Sequence, residues 1–129
     1  MSRFSILSFG VVKVEGPSME PALQSGDWLL VRWFPQADIA KTSQKHNGYR
    51  SRIGNIVVIE REVQPGIFYI KRVKMRQDST VHSEGGKAPQ INQYWVEGDN
   101  PDGTDSRTWG WLSQGEIRAK VLFRYRKAR

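Results

Sequence analysis

Ile56-Val57-Val58-Ile59 is an unbroken run of β-branched side chains. A run this short and this uniformly apolar reads as a strand covered on both faces, because a half-exposed strand would alternate apolar with polar. A central strand needs partners, and the flanking sequence supplies them. Pro65-Gly66 turns the chain into Ile67-Phe68-Tyr69-Ile70-Lys71-Arg72-Val73-Lys74-Met75. Upstream, Val11 to Glu15 alternates in the period-two manner, and Asp27 to Phe34 forms a second apolar run. Downstream, Tyr94-Trp95-Val96-Glu97 reads as a strand, and Ala119 to Arg126 alternates through Val121, Phe123 and Tyr125. No helical periodicity of useful length, internal repeat or low-complexity tract is present. The pattern predicts a mostly β chain with a coiled, barrel-like antiparallel sheet.

Between these strands lie polar connections. Residues 35–52 contain Asn47-Gly48 and read as a surface loop with room for a helical turn near Ile39. Gln77 to Gln90 is polar, with a turn at Gly85-Gly86, and Gly98 to Thr108 is a loop dense in Asp, Asn and Gly. Phe4 to Val12 is apolar but only about half of the ~20 residues that a spanning helix needs. It also lacks a small-residue cleavage site. It is expected to be a buried strand, which leaves a soluble, cytoplasmic protein without a membrane span.

The chain has 129 residues, enough for one domain with a real core. Its zero cysteines exclude disulfides, thiolate metal sites and a cysteine nucleophile. Twenty Lys and Arg against thirteen Asp and Glu give a net charge of +7, which suits an acidic partner, an anionic surface or nucleic acid. The two histidines, His46 and His82, sit in polar stretches without metal-ligand spacing, so neither a metal nor another cofactor is expected.

Three stretches carry candidate chemistry. In Gly16-Pro17-Ser18-Met19-Glu20-Pro21, prolines bracket a serine at a strand end, fixing φ and holding the turn rigid. Ser18 is either a turn serine bonded to its own backbone or a nucleophile on a stiff mount. Lys71 lies inside an apolar strand, where alternation places it on one face with Tyr69. It either snorkels to water or is desolvated enough to become a neutral base for a serine hydroxyl. The third stretch, Gly98-Asp99-Asn100-Pro101-Asp102-Gly103-Thr104-Asp105-Ser106-Arg107, has the acids of a calcium loop but no closing Glu at the required spacing, and Arg107 opposes a cation. Its acids can instead pair with Arg72 and Arg107.

Taken in order, the Ser18 box, Gly54-Asn55-Ile56-Val57-Val58, Tyr69-Ile70-Lys71-Arg72-Val73 and the Gly98–Arg107 box resemble the ordered boxes of type I signal peptidases, over roughly residues 11 to 122. The resemblance implies an all-β serine endopeptidase, 1–129 as a single peptidase domain, with a sheet of the signal peptidase and repressor-autoprotease type. It implies Ser18 as nucleophile and oxyanion N–H donor, Lys71 as general base, and Thr104 as the hydroxyl orienting the amine. Met19 would pack beneath the turn that Pro21 closes. Asp99 would pair with Arg72, and Asp105 with Arg107 beside Ser106. Where the family often carries a second oxyanion hydroxyl, this chain has Gly16. The link over 74–93 leaves room for only a reduced second lobe. With no anchor, the chain resembles the small soluble maturation peptidases of the superfamily, especially those of nickel superoxide dismutase, which implies a precursor protein as partner.

Two competing readings remain. A self-cleaving repressor domain shares fold and dyad but needs an upstream DNA-binding domain and a linker. A basic β-barrel that stacks single-stranded nucleic acid would use the five Trp and four Tyr, but leaves the ordered boxes unexplained, so no nucleic acid is expected.

Overall fold

The computed structural model describes residues 8–35, 51–83 and 86–129, and for 78–83 and 86–91 the backbone alone. The described strands are β1 (Ser8–Lys13), β2 (Trp28–Trp33), β3 (Ile56–Glu60), β4 (Phe68–Ser83), β5 (Gly86–Glu97), β6 (Leu112–Ser113) and β7 (Ile117–Arg126). They form one sheet in the order β1-β2-β7-β3-β4-β5-β6, with every neighbouring pair antiparallel. A short helix, α1 (Ser106–Trp109), and a 3-10 turn at Gln114–Glu116 interrupt the β structure. The protein is thus mostly β, as the strand pattern predicts.

The sheet curls. Trp33 on β2 and Phe68 on β4 meet edge-to-face with ring centroids 5.9 Å apart, although β7 and β3 lie between their strands in the sheet. Register shifts within the β2–β7 and β3–β7 pairings mark the irregularities that accompany strong local twist. β3 holds the centre. Val57 and Ile59 enter one core cluster with Val73, Tyr94, Val96 and Ile117, while Val58 enters a second with Val14, Met19, Leu29, Val31 and Ala119. Val57, Val58 and Ile59 are all buried, each such side chain contributing roughly 2 kcal/mol. The continuous β-branched run therefore serves both faces.

Two expectations change. The apolar Phe4–Val12 run was expected to be a buried strand; its described part, in β1, is the sheet edge, and Phe9 and Val11 are exposed. Only one face of β1 meets the core, through Val12, with Val14 just past the strand's end, and a run of apolar residues cannot by itself say which face is covered. The polar segment after Met75 is not a loop but the outer half of β4, paired with β5 as far as Ser83 and Gly86. Its strand character comes from cross-strand pairing, for which a polar sequence offers no apolar alternation as a signal. The reading of 35–52 as a loop, with its helical turn, falls almost wholly outside the described residues, as does His46.

Candidate active site

Ser18 sits where β1 ends. Val14 N–H donates to Asp27 O and Gly26 N–H to Val14 O, so the chain leaves and re-enters the sheet beside itself. The turn between is tightened by Glu20 N–H to Pro17 O at 3.0 Å and Leu23 N–H to Met19 O at 2.9 Å. Met19, fully buried, anchors the turn in the core; Pro21, exposed, follows a cis peptide bond. Gly16 N–H donates to Ser25 Oγ at 3.1 Å. A carbonyl oxygen approaching Ser18 would therefore have to compete for that N–H.

Lys71 reaches the same place from the sheet. It points inward with Tyr69 and Val73 and is only 2% exposed. Phe68, Ile70 and Arg72 take the other face, so snorkelling to water does not occur. Burial pushes the amine's pKa below its ordinary value; the Asp105 carboxylate raises it and Arg107 lowers it, and burial prevails.

The loop after β5 brings the two together. A Cβ added to Gly103 would lie 3.1 Å from Ser18 Cβ and 3.3 Å from Lys71 Nζ. Ser18 and the Lys71 amine thus both lie against the same point of the loop, at Gly103. Asn100 N–H donates to Ser18 O at 2.9 Å, and Asn100 Nδ2 to Pro17 O at 3.1 Å, which clamps turn to loop. Gly98 permits this contact, because a Cβ there would stand 2.5 Å from Ser18 O. Thr104, expected to orient the amine, is exposed; its neighbour Gly103 lies beside Nζ.

Ion pairs brace the loop. Arg72 donates from Nε and Nη2 to Asp99 at 2.9 and 2.8 Å, and from Nη1 to Gly54 O. These bonds hold the Asp99 carboxyl below its usual range. Asp105 is fully buried and caps α1; it accepts from Gly98 N–H, Arg107 N–H and the Arg107 guanidinium. Burial works against its charge, but those donors outweigh it and lower its pKa. Ser106, also buried, accepts from Val96 N–H through Oγ at 2.9 Å, tying α1 to β5. With Asp99 and Asp105 both neutralised by arginine, the loop presents no open carboxylate pair to a cation. Among the described residues no group of three or more His, Cys, Asp or Glu is placed to hold a metal. Of His82 the backbone alone is described, within β4.

A cleft of about 500 Å³ leads to Ser18, walled by Val12, Val14 and Glu15 on one side and Phe68, Tyr69 and Ile70 on the other. Its walls are an edge strand and the start of β4. An extended peptide can lie there as an added strand.

Residues 3–88 match the family described as signal peptidase, peptidase S26. The chain belongs to that family. The match includes Ser18 and Lys71 but ends before the Gly98–Arg107 loop, whose part in the site is read from geometry alone. Among curated relatives, the mitochondrial inner membrane protease subunit 1 of mouse and that of human are each 30% identical over 123 residues, covering 89% of this chain and 68% of the relative. As an S26 member the chain is a serine peptidase of the signal-peptidase-like processing type. No helix among the described residues is long and apolar enough to cross a membrane.

Asn100 and Gly103 escaped the residue-by-residue reading. The signal for them was present, since a glycine-rich loop with no helical or strand period marks a place where backbones approach closely.

Proposed function

We propose that Ser18 and Lys71 are the catalytic pair of a processing peptidase that removes an N-terminal extension from a precursor protein. The carrying observation is the convergence of Ser18 and the buried Lys71 amine beneath Gly103. The neutral amine accepts the Ser18 hydroxyl proton as Oγ bonds to the scissile carbonyl carbon. The Ser18 N–H stabilises the oxyanion. The amine then passes its proton to the departing nitrogen, the C–N bond breaks, and an ester remains. Lys71 next takes a proton from water as that water attacks the ester, then returns it to Ser18 Oγ as the C–O bond breaks and the new carboxyl group departs. Arg72–Asp99 and Asp105–Arg107 fix the loop that roofs the pair; burial and the nearby Asp105 position the amine.

The narrower reading is a cytoplasmic enzyme acting on the precursor of nickel superoxide dismutase. The region beyond Val73 is one β4–β5 hairpin, in keeping with a reduced second lobe, and the +7 charge favours an acidic precursor at low salt. The relatives' name favours a second reading: that this chain acts at a membrane as one subunit of a protease. Purified protein is to be incubated with the dismutase precursor and with membrane-bound precursors, and new N-termini read by mass spectrometry. Trimming of the dismutase alone supports the narrower reading, and trimming of membrane-bound precursors alone replaces it with the second. If neither is cut by wild type, or both are cut by Ser18→Ala, the catalytic assignment fails.

A further inference from the structure

The free edge of β1 has two faces of different character. Among the described strands β1 is the first of the sheet and pairs with β2 alone. Val14 N–H donates to Asp27 O, and in an antiparallel ladder the residues bonded to a given neighbour alternate. The N–H and C=O of Lys13 and Val11 therefore point away from β2, to the open edge. β4 offers a second open edge: its pairing with β5 begins at Arg72, while Phe68 to Lys71 are paired on the β3 side. The cleft that leads to Ser18 lies between these two edges. An extended precursor segment placed there alternates its side chains between the two faces.

Toward the core, the edge shows Val12 and Val14, clustered with Met19 and Ile70. Away from the core it shows Lys13, which is exposed, with Val11 a row further from the serine. The Lys13 row continues across the sheet through Trp28 to Arg126. Lys13 Nζ stands 5.8 Å from the Trp28 ring centroid. With Arg126 and Lys127 these residues line a hollow of about 330 Å³ whose lining includes no acidic residue. Arg124 adds nothing to it, because its guanidinium donates to the buried Asp27 carboxylate. Among the residues lining the cleft itself the one acid is Glu15, two positions nearer to Ser18 than Lys13.

Resting on the peptidase reading above, we propose that the precursor carries an acidic residue directly across from Lys13, on the outward face of the bound segment. Its carboxylate meets the Lys13 ammonium as a cross-strand pair, and Arg126 and Lys127 keep the surroundings positive. The precursor residues on either side of that acid turn inward against Val12, Val14 and Ile70, where a charge has no partner. The outward residue two positions nearer to the serine falls at the level of Glu15 and is not acidic, since like charges side by side repel. Charge is thus read in one register. The +7 of the whole chain cannot impose such a register, because a net charge steers an acidic segment wherever its acid lies.

The test is an acid scan. A randomised peptide library, read by mass spectrometry, first supplies a sequence that the full chain cuts and Ser18→Ala does not. If no peptide is cut, or Ser18→Ala cuts equally, the peptidase reading fails and this proposal with it. A single Asp is then moved residue by residue through the part of that sequence lying in the cleft. At one position Asp is expected to raise kcat/KM about fivefold over Ala; Asp at either neighbour, or Lys at the favoured position, lowers it. In Lys13→Glu the preference at that position reverses from Asp to Lys. Should that variant not fold, the wild-type preference for Asp must shrink as salt is raised from low to physiological concentration. An equal gain at every position, a preference unchanged in Lys13→Glu, or one indifferent to salt overturns the proposal and leaves the peptidase reading standing.

Discussion

At β4 the sheet buries a lysine to 2% exposure, while at β1 and β7 it leaves Phe9 and Phe123 55% exposed. The two regions belong to one continuous sheet, yet each reverses the usual segregation of charge and hydrocarbon. Around Lys71 the cost of burial is offset only partly. Asp105 is close enough to raise the amine's pKa, but Arg107 takes up that carboxylate and burial keeps the net shift downward. Around Phe9 and Phe123 no comparable bracing is needed, and the fold gives up little by leaving phenylalanine in water. A buried charge needs a braced surrounding; an exposed ring needs only a strand. The first region is accordingly expected to fail sharply on substitution, and the second to keep its stability.

The largest effect is expected at Ser18. Ser18→Ala should lower kcat/KM by about 10⁴-fold or more, with substrate peptide still bound; retained cleavage in the alanine protein would remove the site from the comparison altogether. Lys71→Met should cost about 10³-fold in activity while the protein is no less stable near neutral pH. The sign follows from the direction of the shift. The folded pKa lies below the ordinary 10.5, so between the two values the unfolded chain holds more protons and wild-type stability rises with pH. Denaturant melts across that window should slope upward for wild type and stay flat for Lys71→Met. A methionine protein that melts well below wild type would mean the ammonium is charged and paired.

Asp27→Ala tests a second buried charge, apart from the exposed rings, whose carboxylate accepts from Ala128 N–H, Gln24 N–H and Arg124 Nη1. Removal leaves Arg124 and two N–H groups without their acceptor and should cost about 3 kcal/mol, read as a lower Tm. The depressed Asp27 pKa means this contribution is present above the ordinary carboxylate value and is lost as pH falls through the folded one. A loss of less than about 1 kcal/mol would show that the tail is held elsewhere. Gly103→Ala should reduce activity roughly tenfold, about 1.4 kcal/mol, since its methyl group would crowd Ser18 and the amine. Thr104→Val, exposed beside it, should change activity by less than about threefold; the reverse ranking would return the orienting role to Thr104. Least of all, Phe123→Ser should shift stability by no more than about 0.5 kcal/mol.

Much of this was legible in the chain because local pattern and tertiary role agree. The β-branched run at 56–59 became the strand that feeds both cores, and alternation alone put Lys71 on the face opposite Arg72. Asp99 and Asp105 meet the arginines that their loop suggested. What was hidden depends on three-dimensional neighbours. The exposure of β1 follows from its place at the sheet edge, which no property of Phe9 or Val11 encodes. The outer half of β4 owes its strand to β5. Gly103 matters for what stands opposite it, and a glycine in a polar loop does not say what it faces. Asp27 opens an apolar run, and only the return of β7 gives its carboxylate a buried role.

The clamp from Asn100 to the Ser18 turn joins residues as much as 83 positions apart. Contacts of that sequence separation form late, after the intervening chain has been ordered. On the ribosome, a nascent chain that has released Ser18 and Lys71 but not Asn100 has no roof over the serine. The serine turn therefore gains its last backbone partner only after about four-fifths of the chain has been made.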